Sequence, residues 1–461
     1  MAHVHDDLKV YGILILVLAM VLFVSPGTAG AASDAAPEAT ATATEENADD
    51  ASAQDEEGGS MNAQEPASAP GYRGPLSKLF VHGFLTQAFA TGSFVGGRFD
   101  VAPGVPAGPT PEEISLGIPE DGTTDYRSVA IQFRYEISPR DIMIIQFSSR
   151  ALGDSLTSDI EDEVELDWAF YERRIKDHTS IKVGRVQIPY GIFNEFRDVG
   201  TILPFYRPAF VFYREGSFTT ETVDGVLFSH TFLPESDWSI EANVYFGEFD
   251  LVELDPFSNR ATIARSEDSF GSQFWLNTPV YGLRFGFGTQ RRNLTEGAVG
   301  VTRFAGASNR FDEWLASVDA AFTKWVFRAE YSSFEIDDEP LPALMVDDFS
   351  ARFDSYYAQV GFHPTEKFRI YLQSEFSDFH VNSPSLFTEP QDYLEREDHG
   401  IALNYLFSPN VVLKAEYHEV GGEDSTFAGV VLPGPPFFQL QPIYKDLEKG
   451  NYSIISLSAS F

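Results

Sequence analysis

Cysteine is absent from the 461 residues of this chain. Without cysteine the protein can contain neither a disulfide framework nor a thiolate metal site. After the first 25 residues no apolar run is long enough for a transmembrane helix. Positive charge is also scarce, and the net charge of -37 argues against a nucleic-acid partner, because a phosphate backbone requires a basic surface.

Aromatic residues, in contrast, are abundant. They make up 14% of the chain, and phenylalanine alone occurs 41 times. The mean hydropathy is nevertheless close to neutral, at -0.15. A membrane-spanning β-barrel explains both values, because only every second residue of its strands meets lipid. A soluble all-β protein is the alternative that composition alone leaves open.

The first 75 residues predict an export signal followed by a spacer. Val10 to Val24 is an uncharged apolar run of signal-peptide length, and the small residues Ala29 to Ala31 provide a cleavage box. Asp6 and Asp7 depart from the usual positive start, so an uncleaved anchor is the alternative. We expect a signal peptide over residues 1–31 and an acidic, Ala-rich, disordered periplasmic segment over residues 32–75.

From Leu79 onward the sequence alternates with a period of two. In one example, Val164, Leu166, Trp168 and Phe170 are separated by acidic or polar residues. Such alternation predicts strands whose two faces have different surroundings. Sixteen segments of about ten residues follow this pattern, which is the length of a tilted strand that crosses a bilayer. The sequence therefore predicts an all-β fold, a transmembrane antiparallel β-barrel of about 16 strands over residues 76–461.

The connections between these segments alternate between short and long. Short turns rich in Pro, Asp and Ser occur near residues 138–140, 176–178, 234–236 and 363–365, and the long connections include 91–125, 189–219 and 336–351. Outer-membrane barrels have short periplasmic turns and long extracellular loops. A soluble propeller would show repeats of about forty residues, and this sequence contains none.

The third long connection, residues 189–219, is the main candidate for function. Several aromatic residues accompany its charges, and a loop this apolar favours a position inside the barrel over one in solvent. We expect it to narrow the pore. The candidate constriction residues are Glu195, Arg197, Asp198, Arg207 and Arg214.

Further candidates lie on the predicted strands, in rows that should face the lumen. The candidate pore-wall residues are Arg134, Arg185, Arg328, Arg369, Glu165 and Asp167. Opposed acidic and basic walls would produce a transverse field that sets ion preference. The alternative is that these charges pair with one another as a solvated lining.

Two short stretches resemble a known family. The run from Val183 to Asp198, which contains Gly184-Arg185, Pro189-Tyr190-Gly191 and Asn194-Glu195, is similar to the corresponding stretch of Gram-negative porins of the phosphate-selective O and P superfamily. The opening run from His82 to Gln87 is similar to their first strand. The resemblance implies an outer-membrane trimer of sixteen-stranded barrels with an inward third loop. Phosphate porins also use a lysine-rich binding cluster, and this chain departs from that pattern, because it contains only nine lysines, one of them in the expected signal peptide.

Function is therefore expected to be passive diffusion of small hydrophilic solutes or ions through an outer-membrane porin. The alternatives are a porin selective for phosphate or organic anions, and a surface-exposed structural or adhesive barrel. No enzyme motif, metal site or cofactor site is found, although His230, His380, His399 and His418 leave a hydrolytic pair open. Expected partners are membrane lipid, lipopolysaccharide, a homotrimer and the outer-membrane assembly machinery, which would read the terminal Phe461.

Overall fold

The computed structural model describes residues 78–93, 116–155, 164–213, 221–255, 260–296, 309–341, 346–382, 384, 390–423, 427–431, 438–442 and 446–461. The expected signal peptide and acidic segment lie outside these residues and stay predictions. In the described part of the chain, no helix is long and apolar enough to cross a membrane.

Strands dominate the described residues. Their bounds in chain order are β1 Leu79–Ser93, β2 Thr123–Ser138, β3 Asp141–Leu152, β4 Glu165–Lys176, β5 Thr179–Gln187, β6 Thr222–Phe232, β7 Ser239–Asp255, β8 Arg260–Asn277, β9 Leu283–Glu296, β10 Asn309–Ala321, β11 Trp325–Leu341, β12 Val346–Phe362, β13 Phe368–Asn382, β14 Gln391–Ser408, β15 Val411–Glu423, β16 Phe427–Val431, β17 Phe438–Pro442 and β18 Asp446–Ser460. A 3-10 turn, Asn194–Phe196, and one short helix, α1 at Phe210–Tyr213, lie between β5 and β6.

Sixteen of these strands close into an antiparallel barrel. Each strand from β1 to β15 pairs with the next, and β18 pairs with both β15 and β1. The closing contact runs from Phe84 opposite Ser460 to Ser93 opposite Asn451. The short β16 and β17 pair only with each other among the described strands. The structure thus confirms the predicted all-β barrel and its strand count.

The connections follow the predicted alternation, but several strands are longer than the sequence indicated. β7 and β8 continue to Asp255 and from Arg260, and β11 and β12 continue to Leu341 and from Val346. These stretches were expected to be loops because their polar residues break the apolar period. Beyond the membrane boundary, however, both faces of a hairpin can be polar and its ladder still forms. By contrast, β5 spans nine residues, so the wall is low beside it.

The two faces of the wall separate as expected, with one correction. Leu166 is exposed on the outer face, whereas Trp168 and Phe170 are buried inside the barrel. A register shift between Gln146 and Phe147, where β3 meets β4, changes the phase of the alternation. Such a bulge inserts one residue into one strand of a pair. The prediction that Trp168 and Phe170 share the outer face with Leu166 is therefore wrong.

Two bands of aromatic residues surround the outer face. The band near the short turns includes Trp325 and Phe362, whose ring centroids are 4.5 Å apart. The other band includes Trp314 and Tyr331, 4.9 Å apart. A closed barrel with an apolar outer belt between aromatic bands satisfies every backbone group within a bilayer. The protein is an outer-membrane β-barrel, as the sequence predicted.

Candidate functional site

The chain between β5 and β6 turns into the barrel, and we call residues 188–213 the inner loop. The amide of Ile188 donates to the carbonyl of Glu221 at 2.9 Å, which closes the base of the loop. Gly191 has a φ of +62°, and a Cβ there would lie within 3 Å of Tyr213 and Glu330. Glycine is therefore required where the chain turns inward. Most inner-loop residues are buried, and only Glu195 and Ile202 are exposed.

A charged group on one side fixes the start of the inner loop. Arg150 on β3 donates to Asp198 at 2.8 Å and to Glu221 at 3.1 Å. Arg197 also lies 3.3 Å from Glu221. Burial raises the pKa of Asp198, although Arg150 opposes the change. Burial would also raise the pKa of Glu221, but Arg197 and Arg150 outweigh it and lower that pKa to about 2.

A buried carboxyl group on β11, that of Glu330, contacts residues near both ends of the inner loop. Glu330 accepts hydrogen bonds from the amide of Ile192 at 2.9 Å and from the hydroxyl of Tyr213. It also accepts from Tyr357 and Ser317, each at 2.6 Å. Four donors on two oxygens use most of the acceptor capacity of a carboxyl group. Glu330 therefore ties both ends of the inner loop to the wall.

Three neighbouring wall residues add further anchors. The hydroxyl of Tyr190 donates to Glu313 on β10 at 2.7 Å. The amide of Val211 donates to Glu375 on β13 at 3.0 Å. Gln273 on β8 donates to the carbonyl of Gly191 at 3.0 Å. Backbone groups in this buried turn are thus satisfied by the wall, which compensates for the missing secondary structure.

The far side of the inner loop contacts the opposite wall. Lys414 on β15 donates to the carbonyl of Phe205 at 2.7 Å, and Asn404 on β14 donates to the carbonyl of Pro204 at 2.9 Å. The hydroxyls of Thr201 and Ser460 are 3.4 Å apart. Together with Arg150 on β3 and Glu330 on β11, which lie on opposite sides of the barrel, these contacts show that the inner loop crosses the lumen from wall to wall.

Apolar packing fills the space between the loop and the wall. A large buried cluster joins inner-loop residues such as Phe193 and Phe212 to wall residues such as Trp168, Trp275 and Tyr357. A second cluster brings Tyr206 of the loop against Tyr126 of β2, with ring centroids 5.0 Å apart. Buried aromatic side chains dominate packing energies of this kind. The loop is therefore seated by packing as well as by hydrogen bonds.

The charges at this level of the lumen occur in mixed groups. Arg328 and Arg284 both lie 3.0 Å from Asp319. Asp398 on β14 lies 2.8 Å from His418 and 3.1 Å from Arg396. The expected separation into one acidic and one basic wall is not found in these groups. The described wall charges favour local pairing, which was the alternative that the sequence left open.

Three of the predicted constriction residues lie together in the buried inner loop. Arg197 and Asp198 belong to the charged group on β3, and Arg207 contacts the hydroxyl of Tyr126 on β2. Glu195 lies in the 3-10 turn with an exposed side chain, and its carbonyl accepts a hydrogen bond from Gln187 at 2.7 Å. Arg214 lies outside the described residues and stays a prediction.

Three predicted pore-wall arginines face the lumen. Arg134 on β2 lies 3.1 Å from Glu136, near the short-turn rim. Arg328 on β11 stacks 5.0 Å from the ring of Phe193 in the inner loop. Arg369 on β13 pairs in register with the buried Asn404.

The other three predicted pore-wall residues lie on β4 and β5. Asp167 accepts a hydrogen bond from Gln146 at 2.9 Å, and Glu165 is exposed where β4 begins. Arg185 differs from the prediction. It pairs in register with Ala169 and Asp224 on the outer face, and it forms two 2.9 Å hydrogen bonds with Asp224. Arg185 was expected on the lumen-facing wall, but strand parity places its side chain outside.

Sequence reasoning missed the wall residues that hold the inner loop. Glu330, Glu375 and Lys414 have the parity of lumen-facing residues, but parity does not reveal what a side chain contacts. Arg150 and Glu221 gave no signal of their own. Their common role depends on the fold of the inner loop, which brings together residues up to 259 positions apart along the chain.

The fold is similar to those of solved outer-membrane proteins. OmpF of Salmonella typhi, in complex with daunomycin, is 12% identical with a TM-score of 0.49, and the match covers 83% of this chain and 97% of that one. Outer-membrane expressed OmpT of Vibrio cholerae is 10% identical with a TM-score of 0.48 over the same shares. An anion-selective porin from Comamonas acidovorans is 9% identical with a TM-score of 0.45, over 83% and 99%. No protein-family model and no curated protein matches the chain.

Proposed function

We propose that this protein is a porin, a passive diffusion channel for small hydrophilic solutes or ions in which the inner loop is the constriction. The observation that carries the proposal is the position of that loop, which is buried within the barrel and bonded to the opposite strands β3 and β11. A barrel that served only as a scaffold for surface loops has no need of a loop inside its lumen. Arg197, Asp198 and Arg207 are the charged residues of the constriction.

Conductance in a planar bilayer tests this function. A variant in which a short glycine linker replaces residues 192–212 removes the anchored part of the inner loop and leaves β5 and β6 intact. We expect its single-channel conductance to be several times that of the wild type, because the inner loop no longer fills part of the cross-section of the lumen. Removal of residues 432–437, between β16 and β17, is the matched control and should leave conductance unchanged.

A porin selective for phosphate or organic anions is the second candidate. Arg150, Arg197, Arg207 and Arg396 around the inner loop favour it, because guanidinium groups bind such anions bidentately. A reversal potential under a salt gradient separates the two candidates. Strong anion preference, with block by millimolar phosphate or succinate, supports the selective channel. Absence of conductance from folded protein leaves the adhesive barrel.

We also propose that the barrel forms a homotrimer, whose contact surface includes the outer face of β5 and β6. Arg185 and Asp224 lie on that face, about seven residues above the short turns, where a lone barrel would meet lipid. Charge on a lipid-facing surface is costly unless protein covers it. Replacing both with leucine should not unfold the barrel, but should change its trimer content on native electrophoresis. The assembly machinery that reads Phe461 and the contact with lipopolysaccharide also belong to this proposal.

A further inference from the structure

The outer face of β10 to β13 carries an aromatic row. Tyr331, Tyr356 and Phe376 are opposite one another in register on β11, β12 and β13. Their neighbouring ring centroids are 6.3 Å and 5.3 Å apart, and Trp314 extends the row onto β10. Aromatic bands of this kind mark the boundary between acyl chains and headgroups. The row therefore gives the level of the outer-leaflet interface.

A row of charged side chains lies above this aromatic row on the same face. Arg291, Asp312, Glu335, Arg352 and His380 pair consecutively across β9, β10, β11, β12 and β13. Glu335 lies ten residues beyond Trp325 in the lower aromatic band. At about 3.4 Å per residue and a tilt of about 40°, this separation is about 26 Å across the membrane. The charged row is therefore at headgroup depth.

Asp312 and Asp354 are each shared by two basic side chains. Asp312 accepts from Arg291 and from Arg310, at 3.1 Å and 2.6 Å for their Nη2 atoms. Asp354, one step below, lies 3.0 Å from Arg352 and 3.3 Å from His380. These acids hold the guanidinium groups in place without using all of their donors. Arg352 contacts Asp354 through Nε at 3.0 Å, and its side chain is 44% exposed.

Below the aromatic row the outward-facing side chains are small. Ala329, Ala358 and Ser374 are in register on β11, β12 and β13, one step nearer the membrane centre. Leu372 is exposed one further step down. Small side chains between an aromatic row and an apolar belt leave room for an acyl chain. The same sector thus offers an apolar strip and, above it, fixed N–H donors.

We propose that Arg291, Arg310, Arg352 and His380 form a binding site for the phosphate groups of an outer-leaflet glycolipid, with an acyl chain over Ala358 and Leu372. Guanidinium groups match phosphate geometry, and the aromatic row holds the headgroup at the level of these donors. Asp312 and Asp354 orient these basic side chains. The site lies on the outer face and does not depend on transport through the lumen.

Native mass spectrometry of the purified full-length protein tests the site, with diphosphoryl lipid A as probe and its dephosphorylated form for comparison. We expect Arg310→Gln combined with Arg352→Gln to weaken retention of diphosphoryl lipid A about tenfold or more, since one charge-assisted hydrogen bond contributes about that factor. The matched control is Arg127→Gln, an outer-face arginine on β2 with a similar exposed fraction and an aspartate partner. It should retain the lipid as the wild type does.

Several results would overturn the site. One is equal retention of the dephosphorylated lipid, and another is equal loss in the Arg127→Gln control. Release of the lipid by a chelator alone, with no effect of the double variant, would assign binding to divalent cations on the acids. Displacement by equimolar inorganic phosphate would mean that free phosphate is the ligand. Heat-modifiable migration on electrophoresis verifies that each variant is folded, and unchanged conductance separates this site from the proposed channel function.

Discussion

Glu330 accepts four hydrogen bonds, two from the inner loop and two from the wall, which is more than the single carbonyl oxygen of a glutamine could accept. Four donors converge on its two oxygens, from Ile192, Tyr213, Tyr357 and Ser317. Glu330→Gln replaces one acceptor oxygen with a donating amide NH2 group and leaves at least one donor unsatisfied, at a cost of about 1–3 kcal/mol. We expect the inner loop to detach more often, seen as larger and noisier single-channel currents. Glu136→Gln, near the short-turn rim, is the control and should leave the currents as they are.

Glu221 makes the loop base sensitive to acid. Its pKa is lowered to about 2 by Arg197 and Arg150 against the effect of burial, so its pairing is complete above the ordinary value of 4.5 and is lost as the pH falls toward 2. The pKa of Asp198 shifts the opposite way, because burial raises it. We expect the protection factors of the amides of residues 194–200, which correct for the intrinsic exchange rate at each pH, to fall progressively below pH 4.5 in the wild type.

Glu221→Gln should show the lower protection factors already at neutral pH, with little further change on acidification. Glu235→Gln, in the exposed turn between β6 and β7, is the matched control. If the protection factors of residues 194–200 in the wild type stay constant down to pH 3, the ion pairs of Glu221 do not hold the loop base.

At the scale of elements, the inner loop can be either a fixed constriction or a movable one. Thr201 and Ser460 bring their hydroxyls to 3.4 Å, and the chain has no native cysteine. Thr201→Cys with Ser460→Cys should therefore form one disulfide between loop and wall. We expect oxidised and reduced channels to conduct alike within about twofold, because the loop is already held to opposite walls.

A pair on the neighbouring wall strands β11 and β12, Ser332→Cys with Ser355→Cys, controls for the chemistry of oxidation, because its disulfide does not involve the loop. Closure of the channel on oxidation of the loop pair alone would mean that the loop must swing away for solutes to pass.

Elements were predictable to different degrees. The period of two and the sorted connections predict the barrel, and the apolar loop predicts its inward course. The phase of β4 could not be predicted, because the bulge opposite Gln146 arises from pairing with β3. The lengths of β11 and β12 were underestimated, since polar residues above the membrane pair as well as apolar ones. For the site, the loop residues were found but their wall partners were not, because register between distant strands is absent from local sequence.

At the scale of the whole molecule, net charge is a poor guide to ion preference. The value of -37 includes residues 32–75, whereas the described lumen charges near the inner loop lie in mixed groups such as Arg328 with Asp319. Local pairs cancel at distances beyond a Debye length of about 8 Å. We expect a cation-to-anion permeability ratio within about threefold of unity in physiological salt.

Deletion of residues 32–75 should leave that ratio unchanged, as measured from the reversal potential under a tenfold salt gradient. A change of sign after the deletion would show that the acidic segment, rather than the lumen, sets ion preference.

The wall grips the inner loop mainly by its main chain: the amides of Ile192 and Val211 and the carbonyls of Gly191, Pro204 and Phe205. Mutations can therefore exchange loop side chains that are not themselves anchors, such as the exposed Glu195 and Ile202, without moving the loop. Divergence among descendants of this gene should concentrate in those side chains, while the gripping wall residues stay constant. Such a barrel can acquire new solutes over evolutionary time on an inherited scaffold.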